Sequence, residues 1–86
     1  HIASLFPNHL YSEEQMVVIE SNSPKSPKQR LSMSYKQLNK SNYIFKLLIG
    51  KSKQQAVHLL QKNTNLPMTK VTGECEKLYI CKNAIY

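Results

Sequence analysis

The sequence predicts an α/β fold, an open sheet of mostly parallel strands with helices beside it, on three observations. Tyr43-Ile44-Phe45-Lys46-Leu47-Leu48-Ile49 is an almost unbroken apolar run that stops at Gly50. Its length and its tyrosine, isoleucine and phenylalanine content suit a central parallel strand buried on both faces. An amphipathic stretch follows over residues 53–62, with Ala56, Leu59, Leu60 and Asn63 on one face and Val57 beside it. Beyond it, Leu78 to Cys81 is a second apolar strand. Strand, helix and strand at this spacing make a βαβ unit, right-handed by the usual rule.

The other elements follow from local chemistry. His1-Ile2-Ala3-Ser4-Leu5-Phe6-Pro7 reads as a loop and about one helical turn, with Leu5 and Phe6 packed inward and Pro7 as the stop. Ser12 to Gln15 matches a capping box, but Met16-Val17-Val18-Ile19 follows at once and is β-rich, so residues 16–20 are a strand. Residues 21–28 hold Pro24, Pro27 and three serines and form a loop, because each proline pushes its predecessor toward extended geometry. Arg30 to Ser34 alternates polar and apolar, the mark of a short half-buried strand. Tyr35 to Ser41 reads as a short helix carrying Leu38 inward. Nothing in the sequence accounts for Lys46 inside the apolar run. Ser52 to Gln55 is a second capping-box match, at the start of the amphipathic helix. Asn63 to Leu66 breaks that helix before Pro67, and Asn83 to Tyr86 begin a terminal helix.

At 86 residues the chain is one domain at most. A free-standing domain of this size buries only about 60–65% of its unfolded surface. The net charge of +7 rests on lysine, since Arg30 is the only arginine and aspartate is absent. A basic balance calls for anionic partners, such as phosphorylated metabolites, nucleic acid or an acidic surface. Nucleic-acid readers pair arginine with exposed aromatics, which this chain does not. Cys75 and Cys81 are separated by five intervening residues, without the second ligand pair of a zinc site, and read as free thiols in a reducing compartment. No apolar run approaches the roughly 18–20 residues that span a bilayer. The expectation is a cytoplasmic protein with no membrane or nucleic-acid partner.

His1 carries the side chain whose unperturbed pKa of about 6.5 suits proton transfer near neutral pH, although a lone histidine is ordinarily just exposed. His9 and His58 are scattered, and His58 belongs on the helix surface. Gly50 and Lys53 fall where ligands bind in open α/β sheets: a strand end, a tight turn and the first turn of a helix, where backbone N–H groups and a lysine favour an anion. Arg30 offers a rigid fork to phosphate or carboxylate, and is otherwise a surface residue or half of an ion pair.

Three ordered blocks raise these residues above their background. His1-Ile2-Ala3-Ser4-Leu5-Phe6-Pro7 resembles the Gly-His-Thr-Ala-Ser-Leu-Phe-Pro motif of the 6-phosphogluconolactonases. Ser23-Pro24-Lys25-Ser26-Pro27-Lys28-Gln29-Arg30-Leu31-Ser32 resembles their Pro-Lys-Pro-Pro-x-x-Arg-Ile-Thr block, and Gly50-Lys51-Ser52-Lys53 their Gly-x-x-Lys. Leu66-Pro67 and Leu78 to Ala84 fit the tail of the family, so the resemblance covers nearly the whole chain.

The resemblance implies a doubly wound α/β sheet of which this chain is the C-terminal half. It implies hydrolysis of 6-phosphogluconolactone to 6-phosphogluconate in the pentose phosphate pathway, without metal or organic cofactor. His1 matches the general base. Lys53 matches the lysine that holds the substrate phosphate, with Arg30, Gly50 and, more weakly, Lys25 as further phosphate-binding candidates. The implied partners are the sugar-phosphate lactone, the N-terminal half of the same enzyme with its Gly-rich phosphate loop and the aspartate before His1, and glucose-6-phosphate dehydrogenase where the two are fused. The chain opens without Met on its candidate catalytic residue, so it is expected to be part of a longer enzyme and inactive alone. Glucosamine-6-phosphate deaminase is the related alternative, and Ile2 is its one signature here. Its motif has a proton-transferring glutamate where Phe6 stands, and a phenyl ring moves no proton. A non-catalytic basic anion-binding module explains the charge but not the three blocks.

Overall fold

The computed structural model describes residues 1–62 and 65–86, and two strand pairs of different kinds carry the fold. Val17–Glu20 (β1) runs antiparallel to Arg30–Met33 (β2), with Val17 opposite Met33 and Glu20 opposite Arg30. β2 is half-buried as predicted, but its inward face is the polar one. Ser32, Val18 and Glu20 are buried, whereas Val17, Ile19, Leu31 and Met33 are exposed. The inward polar groups are satisfied by hydrogen bonds, which makes their burial tolerable. Ser4 N–H donates to Ser32 Oγ at 3.0 Å, and Ser34 Oγ caps the short helix α1 (Tyr35–Leu38) by accepting from Gln37 N–H at 3.1 Å. That helix is one turn rather than the predicted seven residues, and Leu38 is only half-buried.

The opening segment is not a helical turn. Ile2 and Leu5 exchange backbone hydrogen bonds of 3.2 and 2.9 Å around a tight turn, with Ala3 at φ 50°. Pro7 disfavours a helical Phe6, so no ladder can form here. Leu5 and Phe6 do pack inward, at 0% and 7% exposure.

Tyr43–Leu48 (β3) pairs in parallel with Cys75–Ile80 (β4), from Tyr43 opposite Cys75 to Leu48 opposite Ile80. Between them lie a 3₁₀ turn at Lys51–Lys53, helix α2 (Gln54–Gln61) and a 3₁₀ turn at Pro67–Lys70 with Pro67 in its first turn. Helix α3 (Lys82–Ile85) closes the chain, one residue earlier than predicted. The α/β class and the parallel pair match the sequence. The described strands form two two-stranded sheets, however, rather than one mostly parallel sheet.

β3 is not buried on both faces. Ile44 and Leu48 point inward, while Tyr43, Phe45 and Leu47 are 69%, 61% and 61% exposed. Leu48, Val57, Met68 and Ala84 form the core on the side of α2 and α3, with Ile2, Ala56, Leu60, Leu66, Ile80 and Cys81 packed around them. Lys46 is accommodated because its ammonium donates to Val71 O at 2.7 Å and to Glu76 Oε1 at 3.0 Å. β4 begins three residues before the predicted Leu78. The predicted capping box at Ser52 does not form, since no side chain among the described residues caps the start of α2. His58 is exposed. Asn63 and Thr64, part of the predicted break, lie outside the described residues.

Gly50 bridges β3 and the 3₁₀ turn at φ 93° and ψ 163°, a region L side chains rarely adopt. A Cβ there would meet nothing within 4 Å, so the cost of any other residue is conformational. Gly50→Ala in the intact protein is expected to lower the unfolding free energy by about 1–3 kcal/mol, read from urea denaturation. An unchanged midpoint would show that the turn relaxes freely.

Candidate functional site

His1 and Lys53 come together. They line one cavity of about 250 Å³ with Ile2, Ala3, Ala56 and Met68, at the meeting point of the opening turn, β3 and the start of α2. Lys53 is half-buried at the end of the 3₁₀ turn, where its N–H donates to Gly50 O at 3.1 Å.

The His1 imidazole is oriented by its own turn. Nδ1 lies 3.0 Å from Ala3 O. A carbonyl can only accept, so Nδ1 carries the proton and Nε2 holds the free lone pair of the neutral ring. That is the tautomer a general base needs at Nε2. The ring also packs on Phe6, with centroids 5.0 Å apart.

Arg30, Lys25 and Gly50 do not line this cavity. Arg30 Nε donates to Pro27 O at 2.9 Å, and Nη2 donates to Lys25 O at 2.9 Å and Ser26 O at 3.4 Å. Its guanidinium closes the proline loop and sits 5.5 Å from the centre of the Phe6 ring. Nη1 has no protein partner among the described residues. Lys25 is exposed, and Gly50 shapes the turn that presents Lys53. Cys75 is exposed and Cys81 half-buried, both as free thiols, and Cys81 Sγ accepts from Gly50 N–H at 3.1 Å. Hydrogen bonding by that N–H draws the Cys81 thiol below its ordinary pKa. Among the described residues no group of three His, Cys, Asp or Glu side chains could hold a metal ion.

Sequence reasoning missed a buried polar network behind the loop. Glu20, 4% exposed, accepts from the Tyr11 hydroxyl at 2.6 Å, from Asn22 N–H at 2.7 Å and from His9 Nδ1. The Tyr11 oxygen in turn accepts from Phe6 N–H at 2.8 Å. A glutamate at the end of an apolar run was the available signal, since an inward carboxylate must find donors. These donors, Tyr11 first and then His9, hold the Glu20 carboxyl down at about 2. Burial and the bond to Glu20 push the Tyr11 hydroxyl up to about 12.

A profile of the glucosamine-6-phosphate isomerases/6-phosphogluconolactonase family matches residues 1–80. The chain belongs to this family. It is similar to "6-phosphogluconolactonase 3, chloroplastic" of Arabidopsis thaliana, with 37% identity over 70 residues, 78% of this chain and 22% of that protein. "Probable 6-phosphogluconolactonase 1" of the same plant is 33% identical over 69 residues, 78% of this chain and 26% of that protein. "Probable 6-phosphogluconolactonase 2" of Oryza sativa subsp. indica is 34% identical over 61 residues, 69% of this chain and 22% of that protein. The chain therefore spans about a quarter of the length of these relatives. No helix among the described residues is long and apolar enough to cross a membrane.

The Glu20 network gives a pH dependence. The carboxyl titrates near 4.5 when unfolded and at about 2 when folded. In that window the unfolded chain binds the proton and the folded one does not, so stability is lost as pH falls from about 4.5 through 2. Urea denaturation at a series of acid pH values is expected to show a shallower acid loss for Glu20→Gln than for the wild type. Parallel curves would mean that the network does not limit acid stability.

Proposed function

We propose that this chain supplies the general base and a phosphate-holding lysine of a 6-phosphogluconolactonase. The observation that carries the proposal is the shared cavity of His1, with its free Nε2, and Lys53. Water attacks the lactone carbonyl carbon while Nε2 takes its proton. The tetrahedral intermediate collapses, the ring oxygen leaves, and the imidazolium returns the proton to it, giving 6-phosphogluconate. Lys53 binds the phosphate as a point charge, helped by the helix start behind it. Arg30 Nη1 is a second phosphate contact, and Lys25 a peripheral one. Gly50 allows the close turn.

A drug-sized ligand takes a pocket of about 300 Å³ or more, so this cavity is one wall of the site and the rest of the intact protein completes it. The β3–β4 pair then belongs to a wider, doubly wound sheet, a reading supported by the uncovered Tyr43, Phe45 and Leu47. The free thiols favour a reducing compartment, taken here as the cytoplasm. The deaminase reading is disfavoured because Phe6, buried against His1, stands where that chemistry needs a carboxylate.

In the intact enzyme, His1→Ala is expected to lower kcat roughly 10²- to 10⁴-fold with KM nearly unchanged. Near wild-type turnover would remove His1 from the mechanism.

Lys53→Ala should instead raise KM, by roughly 10- to 150-fold for a lost charge-assisted contact. Lys53→Arg should restore part of this. The control is a lactone without the phosphate. If wild type and Lys53→Ala differ equally on that substrate, Lys53 does not read phosphate.

A further inference from the structure

The loop that carries His1 is tied to the β1–β2 hairpin by directional bonds rather than by apolar packing alone. Ser4 N–H donates to Ser32 Oγ at 3.0 Å. Phe6 N–H donates to the Tyr11 hydroxyl at 2.8 Å, and that hydroxyl donates to Glu20 Oε1 at 2.6 Å. The Phe6 ring in turn is the surface on which the His1 imidazole rests, 5.0 Å between centroids. Glu20 is fixed on strand β1, buried, and held further by Asn22 N–H and His9. An unbroken path therefore runs from a rigid strand through one phenol to the backbone of the residue that seats the base.

We infer that Tyr11, locked in place by Glu20, is a positioning residue for His1. The inference rests on the reading of His1 as general base. Tyr11 touches no reacting atom. Its hydroxyl is both donor and acceptor in the path, so its oxygen can sit in only one place while both bonds are made. Without it, Phe6 N–H loses its partner and the turn from Ile2 to Phe6 is held at the Ser4 end only. Misplacement of a catalytic group by about 1 Å costs on the order of 10²-fold in rate. A base that drifts slows proton transfer and leaves phosphate binding by Lys53 untouched, so the effect falls on kcat.

The test uses the intact enzyme with Tyr11→Phe, which keeps the ring and removes the hydroxyl, and Glu20→Leu, which keeps most of the bulk and removes the acceptor that the hydroxyl needs. Both are expected to lower kcat roughly 10- to 100-fold with KM within about 2-fold of wild type. The double variant should be no slower than the slower single one, because both residues act along one path. Amide hydrogen exchange gives a readout independent of turnover: in Tyr11→Phe the Phe6 amide should exchange roughly 10-fold faster for one lost hydrogen bond, with the β3–β4 amides unchanged. If Tyr11→Phe does not fold, Glu20→Leu supplies both readouts. A folded variant with wild-type kcat and unchanged Phe6 exchange overturns the inference, as do additive losses in the double variant. Faster Phe6 exchange in a protein whose wild type does not hydrolyse the lactone would leave the positioning path standing and sink the lactonase reading instead.

Discussion

Parallel strands cannot be joined by a tight turn, and that constraint organises the C-terminal half of this chain. To lie beside β3 in the same direction, β4 must be reached by a crossover, and α2 is that crossover. The crossover has to leave the end of β3 sharply, which is why Gly50 sits at φ 93°. It has to lie back on the sheet, which is why Val57 packs against Leu48 and Ala84. The position of Lys53 is a consequence of both demands. It stands at the first turn after the strand end, in the cavity that His1 also lines, because the topology leaves the crossover no other start.

The parts of this arrangement that were legible in the sequence are those in which one residue type answers one physical demand. The run from Tyr43 to Ile49 with Gly50 after it could be little else than a strand and a turn. Leu5 and Phe6 were readable as inward because they are the apolar residues nearest the opening turn. The beginning of β4 was not readable. Cys75, Glu76 and Lys77 look like a polar loop, and they are a strand only because they pair with β3 and because Glu76 meets Lys46 across the pair. The same contact answers the puzzle of Lys46, which a single stretch of sequence cannot do. The face of the hairpin was unreadable for a related reason. Alternation specifies two faces but not which one is covered, and here Ser32 and Glu20 are covered by donors from the opening segment, Ser4 and Tyr11. Arg30 shows the limit of motif reading: its position matches a block, yet much of its donor capacity serves the backbone of the proline loop.

The candidate site thus joins two supports of different physics. Lys53 is presented by apolar packing around Leu48, Val57, Met68 and Ala84, which is non-directional and tolerates small shifts. On the proposed role of Lys53, a phosphate is a large target for an ammonium, and small shifts there cost little. His1 is presented by a turn whose anchors are hydrogen bonds to Ser32 and Tyr11 and whose last member is a buried carboxylate. On the proposed role of His1 as general base, proton transfer demands placement to a fraction of an ångström, and directional bonds are suited to supply it. Burying Glu20 would be costly without partners, and three donors converge on it. The carboxylate is therefore tolerated in the interior for the same reason that it is useful there: every donor that satisfies it also loses its freedom to move.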